Sequence, residues 1–191
     1  LSHHHFILYK PDGYLSQFVS QQTKRKNKKM LGELYNFPEG TMAIGRLDEQ
    51  SEGLLLLTTD GKVSEHVRGT QVEKEYYAQV DGLIDSEAIE KLKLGVEIST
   101  DKGKYLTKPC SVKLVSGEIS FPKRNKKIRD ERHGPTSWVS ITLTEGKFRQ
   151  VRKMTAVVGF PTLRLVRVRI GKIVLENRHP GDVIPVALFD V

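Results

Sequence analysis

A chain of 191 residues with 38% hydrophobic and 28% charged content has the make-up of a globular protein with one large core or two small ones. A single cysteine, Cys110, excludes an internal disulfide and a thiolate-built zinc site, and no apolar run approaches the roughly 18 residues of a membrane-spanning helix. The net charge of +8 is concentrated. Lys24, Arg25, Lys26, Lys28 and Lys29 form one basic run, and Lys123, Arg124, Lys126, Lys127, Arg129 and Arg132 form a second. Together they more than account for the excess and leave a nearly neutral body. Neither run has the apolar face of a membrane-surface helix, so contact with polyphosphate is expected.

Phe6 to Tyr9 reads as a first strand, closed by the turn Lys10-Pro11-Asp12-Gly13. Residues 21–29 are polar and aperiodic and read as an exposed loop. Leu31, Leu34 and Phe37 are spaced for one short amphipathic helix ended by Pro38 and Gly40, and Thr41 to Leu47 is a strand. Leu54 to Leu57 is a short apolar run before Asp60-Gly61, which predicts a buried strand. A helix is expected over Lys62 to Gly69 and a strand over Glu73 to Val80. Asp85 is an N-cap for a helix through Leu94, with Ile84 and Ile89 as its hydrophobic staple and Gly95 as its stop. Pro109 to Val115 and Trp138 to Leu143 are strands, and the charged stretch Ser120 to Pro135 between them is a loop or insertion. Phe148 to Val158 is helical, with Val151, Met154, Thr155 and Val158 on one face. Leu163 to Ile170, Ile173 to Leu175 and Val183 to Ala187 complete the strands. Many strands, few helices and no regular βαβ rhythm give an α+β fold on a mainly antiparallel sheet.

One stretch concentrates chemistry. Arg46, Asp48, Glu49, Gln50 and Glu52 stand directly before the buried strand, with Gly45 and Gly53 on either side. A rigid scaffold presents reactive groups in this way. Taken alone, Asp48 reads first as a turn or cap residue. Likewise Tyr76 and Tyr77 read as core aromatics, and Arg152 as an exposed helix arginine.

Gly45-Arg46-Leu47-Asp48 followed by Ser51-Glu52-Gly53-Leu54-Leu55-Leu56-Leu57-Thr58 resembles the signature of the RNA pseudouridine synthases, in the RsuA/RluE branch that modifies ribosomal RNA. The Lys10-Pro11-Asp12-Gly13 turn, Lys74-Glu75-Tyr76, the motif from Glu145 to Met154 and its tail with Leu165, Arg167 and Gly171 fit the same family. Asn125 to Trp138 and Gly159 to Leu165 resemble the RluE subgroup, which acts on large-subunit (23S) ribosomal RNA. The resemblance implies a pseudouridine synthase catalytic fold, a mainly antiparallel mixed sheet with flanking helices and a central cleft. It covers residues 6–191. Residues 1–5, with three adjacent histidines, are set aside as a tag remnant or disordered start, and the S4-like domain usual in this branch is not expected in the chain.

What the family does carries over residue by residue. The resemblance makes Asp48 the catalytic carboxylate, Tyr76 the aromatic that packs on uracil and serves as general base, and Arg152 the cation that pairs with the aspartate. Arg46 would fill the space left by the flipped base. Lys74, Arg149, Val151 and Leu165 are expected at the substrate, and Lys123, Arg124, Lys126 and Lys127 on its phosphates. The reaction asks for no metal or cofactor, and none is expected. The expected partner is ribosomal RNA, met by a monomer in the cytoplasm without a membrane. Two rival readings use the same residues: a glycosidase built on Asp48 and Glu52, and a non-catalytic RNA-binding module.

Overall fold

The structure is a computed structural model that describes residues 2–18, 27–69, 71–124 and 126–191. Lys24, Arg25 and Lys26 of the first basic run, and Asn125 of the second loop, lie outside the described residues. In chain order the elements are β1 (His5–Lys10), β2 (Tyr14–Leu15), β3 (Lys29–Met30), β4 (Met42–Ile44), β5 (Glu52–Thr58), α1 (Gly61–Gly69), β6 (Lys74–Asp81), α2 (Ser86–Leu94), β7 (Glu97–Thr100), β8 (Gly103–Leu106), β9 (Ser111–Val115), β10 (Thr136–Leu143), α3 (Gln150–Val157), β11 (Thr162–Ile170), β12 (Ile173–Val174) and β13 (Val183–Val186). This is the α+β class, with antiparallel pairing in every described ladder except β2 with β3.

The chain divides into two compact units. The first holds Leu1–Val72, Pro122–Asn125 and Arg167–Val191. Its β1 lies between β13 and β5, and the register sets Phe6 opposite Leu57 and Leu8 opposite Leu55. Every residue of β5 is buried, because α1 packs on the strand and the sheet continues on both of its edges. The strand is wider than its apolar run. It begins at Glu52, which is 2% exposed, and runs through Gly53, whose φ is +107°. A Cβ at Gly53 would stand 2.2 Å from the Arg167 carbonyl oxygen. Beside it, Arg167 Nε donates to the Leu54 carbonyl at 2.8 Å. The histidine start is engaged: His5 opens β1 opposite Thr58, and the His4 amide donates to Thr59 Oγ1 at 2.9 Å.

The second unit holds Glu73–Phe121 and Lys126–Val166. β6, β10 and β9 pair in that order, with Tyr76 opposite Ile141 and Val139 opposite Leu114. Alternation puts Ala78, Val80, Val139 and Ile141 on one face, where they form a core with Leu92 of α2 and Met154 of α3. α2 is capped as its sequence dictates. Asp85 accepts from the Ala88 amide at 2.8 Å, and Gly95 closes the helix.

Two expectations change. The helix over Leu31 to Phe37 shrinks to a single 3₁₀ turn, Leu31–Glu33, since one apolar anchor is buried and Pro38 prevents extension. The strand expected over Thr41 to Leu47 is only β4, cut short at Gly45 with φ +69°. The hairpin β7–β8 adds to the expected elements, its strands joined through the turn at Asp101-Lys102. The stretch from Ser120 to Pro135 is a loop as expected, with one 3₁₀ turn at Glu131–His133 among its described residues, and parts of it are packed. Phe121 packs on Trp138 and Tyr77, and Arg129 donates to Asp81 at 2.6 Å and to the Pro135 carbonyl at 3.2 Å.

Candidate active site

In the first unit, the backbone on both sides of Asp48 is fastened. The Leu47 amide donates to Ser16 Oγ at 3.0 Å, and Ser16 Oγ donates back to the Leu47 carbonyl at 2.6 Å. On the other side, the Glu49 carbonyl accepts from the Gly13 amide at 2.8 Å and from Lys10 Nζ at 3.2 Å. The Ser51 amide then closes a turn on the Asp48 carbonyl at 3.0 Å. Asp48 is half-buried on a loop whose backbone is tied at both of its neighbours, which fixes where its carboxylate stands. Arg46 is exposed two residues earlier.

Lys10, which opens the Lys-Pro-x-Gly turn but is not among the expected site residues, stands beside this loop. It ends an apolar strand, is 0% exposed, and its ammonium donates to the carbonyls of Pro11 and Tyr14 at 2.8 Å each as well as to Glu49. Burial lowers its pKa from 10.5 to about 8, against the opposing pull of Asp12, Glu52, Glu49 and Asp48. The signals in the sequence are the Lys-Pro-x-Gly turn and the place of its lysine at the end of an apolar strand. The Lys-Pro-x-Gly turn is thus the clamp that holds the Asp48 loop through its Glu49 peptide. Lys28, an exposed member of the first basic run, donates to Glu49 Oε1 at 2.8 Å.

The second unit carries Lys74, Tyr76, Arg149, Val151, Arg152, Leu165, Lys126 and Lys127 of the expected site residues. Lys74 and Tyr76 open β6, both half-buried, and Tyr76 packs against the core on the Ala78 face. Glu75 points to the other face and accepts from Ser140 Oγ at 2.6 Å. Arg149 is exposed and left-handed, φ +52°, as the residue before α3. That strained turn is locked by Gln150, whose amide donates to the Lys147 carbonyl at 3.0 Å while its side-chain oxygen accepts from the Lys147 amide at 3.0 Å.

Glu145 anchors the same turn. It accepts from Gln150 Nε2 at 2.9 Å, the Lys108 amide at 2.7 Å and the Tyr105 hydroxyl. Burial pushes the Glu145 carboxyl up, but these hydrogen bonds outweigh it and leave it below the ordinary range. Arg152, in the first turn of α3, is half-buried.

Three substrate expectations meet a different setting. Val151 and Leu165 are 4% and 5% exposed and belong to the core cluster, because they occupy the inward positions of α3 and β11. Arg124 is not on the solvent side of its run: its side chain is 9% exposed and paired with Asp12 at 3.4 Å. Lys123, Lys126 and Lys127 are exposed, as phosphate contact requires. Neither a helix long and apolar enough to cross a membrane nor a cluster of three or more metal-binding side chains occurs among the described residues.

Comparison with known proteins meets this geometry from outside. The profile of the family described as RNA pseudouridylate synthase matches residues 4–157. Ribosomal large subunit pseudouridine synthase E of Vibrio parahaemolyticus serotype O3:K6 is 40% identical over 178 residues, covering 92% of this chain and 71% of that protein. The synthase E of Xanthomonas campestris pv. campestris is 39% identical, covering 92% of this chain and 91% of its own. A crystal structure of a pseudouridylate synthase superposes with a TM-score of 0.74 at 24% identity, over 97% of this chain and 70% of that one, which shows the shared fold. The chain belongs to the RNA pseudouridylate synthase family.

Proposed function

We propose that this protein isomerises uridine to pseudouridine in ribosomal RNA, and that its target lies in the 23S RNA of the large subunit. Family membership carries the reaction, and the relatives named large-subunit synthase E support the choice of RNA. The observation that carries the site is the Asp48 loop, fastened through Leu47 and Glu49. The glycosidase and non-catalytic readings have no such support.

The reaction breaks the bond between ribose C1′ and uracil N1, turns the base, and joins C1′ to C5. The C5 proton leaves and N1 gains one, so no oxidant or cofactor is consumed. Asp48 supplies the carboxylate, and Tyr76 stacks on the uracil and takes the C5 proton. Arg152 supplies the cation that balances the charge of the carboxylate. Arg46, exposed and planar, replaces the uridine turned out of the RNA stack. Lys74 and Arg149 face the nucleotide, while Lys123, Lys126 and Lys127 contact phosphates. The protein acts as a monomer in the cytoplasm, where ribosomal RNA is found.

The experiment uses 23S RNA transcribed with tritium at uridine C5, since isomerisation releases that label to water. Wild type should release it, and Asp48→Asn should bind the RNA and release none. Wild-type-like release by Asp48→Asn would remove the aspartate from the mechanism.

A further inference from the structure

We propose that Arg124 and Asp12 are positioning residues for the reaction. Through their ion pair, the segment carrying Lys123 and Arg124 holds the Lys10–Gly13 turn and, by way of it, the backbone on which Asp48 stands. The inference rests on the reading of Asp48 as catalytic.

The pair lies in the first unit, its side chains 9% and 8% exposed, with Arg124 Nη1 at 3.4 Å from Asp12 Oδ1. The neighbouring Lys123 is exposed. Arg124 Nε is buried without a hydrogen-bond partner among the described residues, so one guanidinium is desolvated for a single long ion pair. Such a pair adds little net stability, and fixing a register is its better-attested use. The register at stake is short to trace. Asp12 sits between Lys10 and Gly13, whose Nζ and amide both donate to the Glu49 carbonyl, and Glu49 follows Asp48. A shift of the turn moves the Glu49 peptide and with it the Asp48 carboxylate, and misplacement by about 1 Å costs on the order of a hundredfold in rate.

Charge points the same way. The Lys10 ammonium faces Asp12, Glu52, Glu49 and Asp48, while Arg124 balances Asp12 and Lys28 balances Glu49. A neutral amine at Lys10 has one donor too few for the three carbonyls it serves, so turnover should fall as Lys10 deprotonates. Asp12→Asn removes an anion that favours the ammonium and should move that alkaline limb to lower pH. Arg124→Met removes an opposing cation and should move it to higher pH.

Tritium release from the same 23S transcript tests this in wild type, Asp48→Asn, Asp12→Asn, Arg124→Met, the double variant of Asp12 and Arg124, and Arg124→Lys. Both single variants should lose about tenfold or more in kcat while KM changes by less than about threefold. The double variant should be no worse than the poorer single one, and Arg124→Lys should recover part of the loss. The alkaline limbs should move in opposite directions. Denaturant midpoints check folding, and if Arg124→Met does not fold, Arg124→Lys and the near-isosteric Asp12→Asn carry the test.

A rise in KM with kcat kept would make Arg124 an RNA-binding residue and overturn the proposal, as would additive losses or limbs that move together. These results leave the Asp48 reading standing when Asp48→Asn is inactive. An active Asp48→Asn, or a wild type that releases no tritium, overturns both.

Discussion

Lys10→Met tests the buried ammonium directly. In the folded protein Lys10 titrates near 8 and in the unfolded chain near 10.5. Below about 8 both states hold the proton and the folded state bears the full desolvation cost. Between about 8 and 10.5 the unfolded chain binds more protons than the folded one, so stability rises with pH over this window. At roughly 1.4 kcal/mol per pH unit, the rise totals about 3 kcal/mol.

Other groups act in the opposite sense. Burial lifts the Cys110 thiol from 9.0 to about 11, so the folded state keeps that proton longer and loses stability between those values. Tyr77, raised by burial and by Glu75, and Tyr105, raised by its hydrogen bond to Glu145, act likewise. Subtracting Lys10→Met from wild type cancels these groups. Urea unfolding at constant ionic strength from pH 7 to 10.5 should show the difference flat to about pH 8 and then climbing. The climb should be about 1.4 kcal/mol by pH 9 and approach 3 kcal/mol at the end. A difference that stays flat or falls through the window would refute the buried ammonium and the role of the Lys10 turn as a charged clamp.

Gly53→Ala places a Cβ 2.2 Å from the backbone oxygen of Arg167 at a φ of +107°. Both strands must then part, at a cost above about 3 kcal/mol, and a denaturant midpoint near wild type would contradict the close approach. Replacing Lys123, Lys126 and Lys127 together by Gln should weaken RNA binding and reduce the salt slope by roughly 0.7 to 0.9 for each phosphate no longer neutralised, measured by filter binding across salt. An unchanged slope would show these lysines to be only solvated. Arg152→Met should slow single-turnover tritium release steeply while the protein stays folded. Its effect should not add to that of Asp48→Asn, and independent losses would separate the two residues.

What the sequence by itself determined is what depends on neighbours within a few positions. The apolar run of β5, the Asp85 cap and Gly95 stop of α2, and the alternation of β6 and β10 are local patterns of burial and hydrogen bonding, and the chain adopts them close to where they are written. The Leu31 helix failed for a related reason. Three apolar residues before a proline do not repay helix nucleation once only Leu31 is buried. The surroundings of Lys10 and Arg124 belong to the tertiary structure. Arg124 stands in a basic run and meets Asp12 across 112 positions, and Lys10 is buried because a turn 39 positions from Glu49 wraps its ammonium in carbonyls. Val151 and Leu165 likewise carry a family motif in sequence, yet their side chains enter the core. Burial and the sign of the nearest charge are set by residues far along the chain, and these decide whether a lysine clamps a loop or an arginine meets solvent.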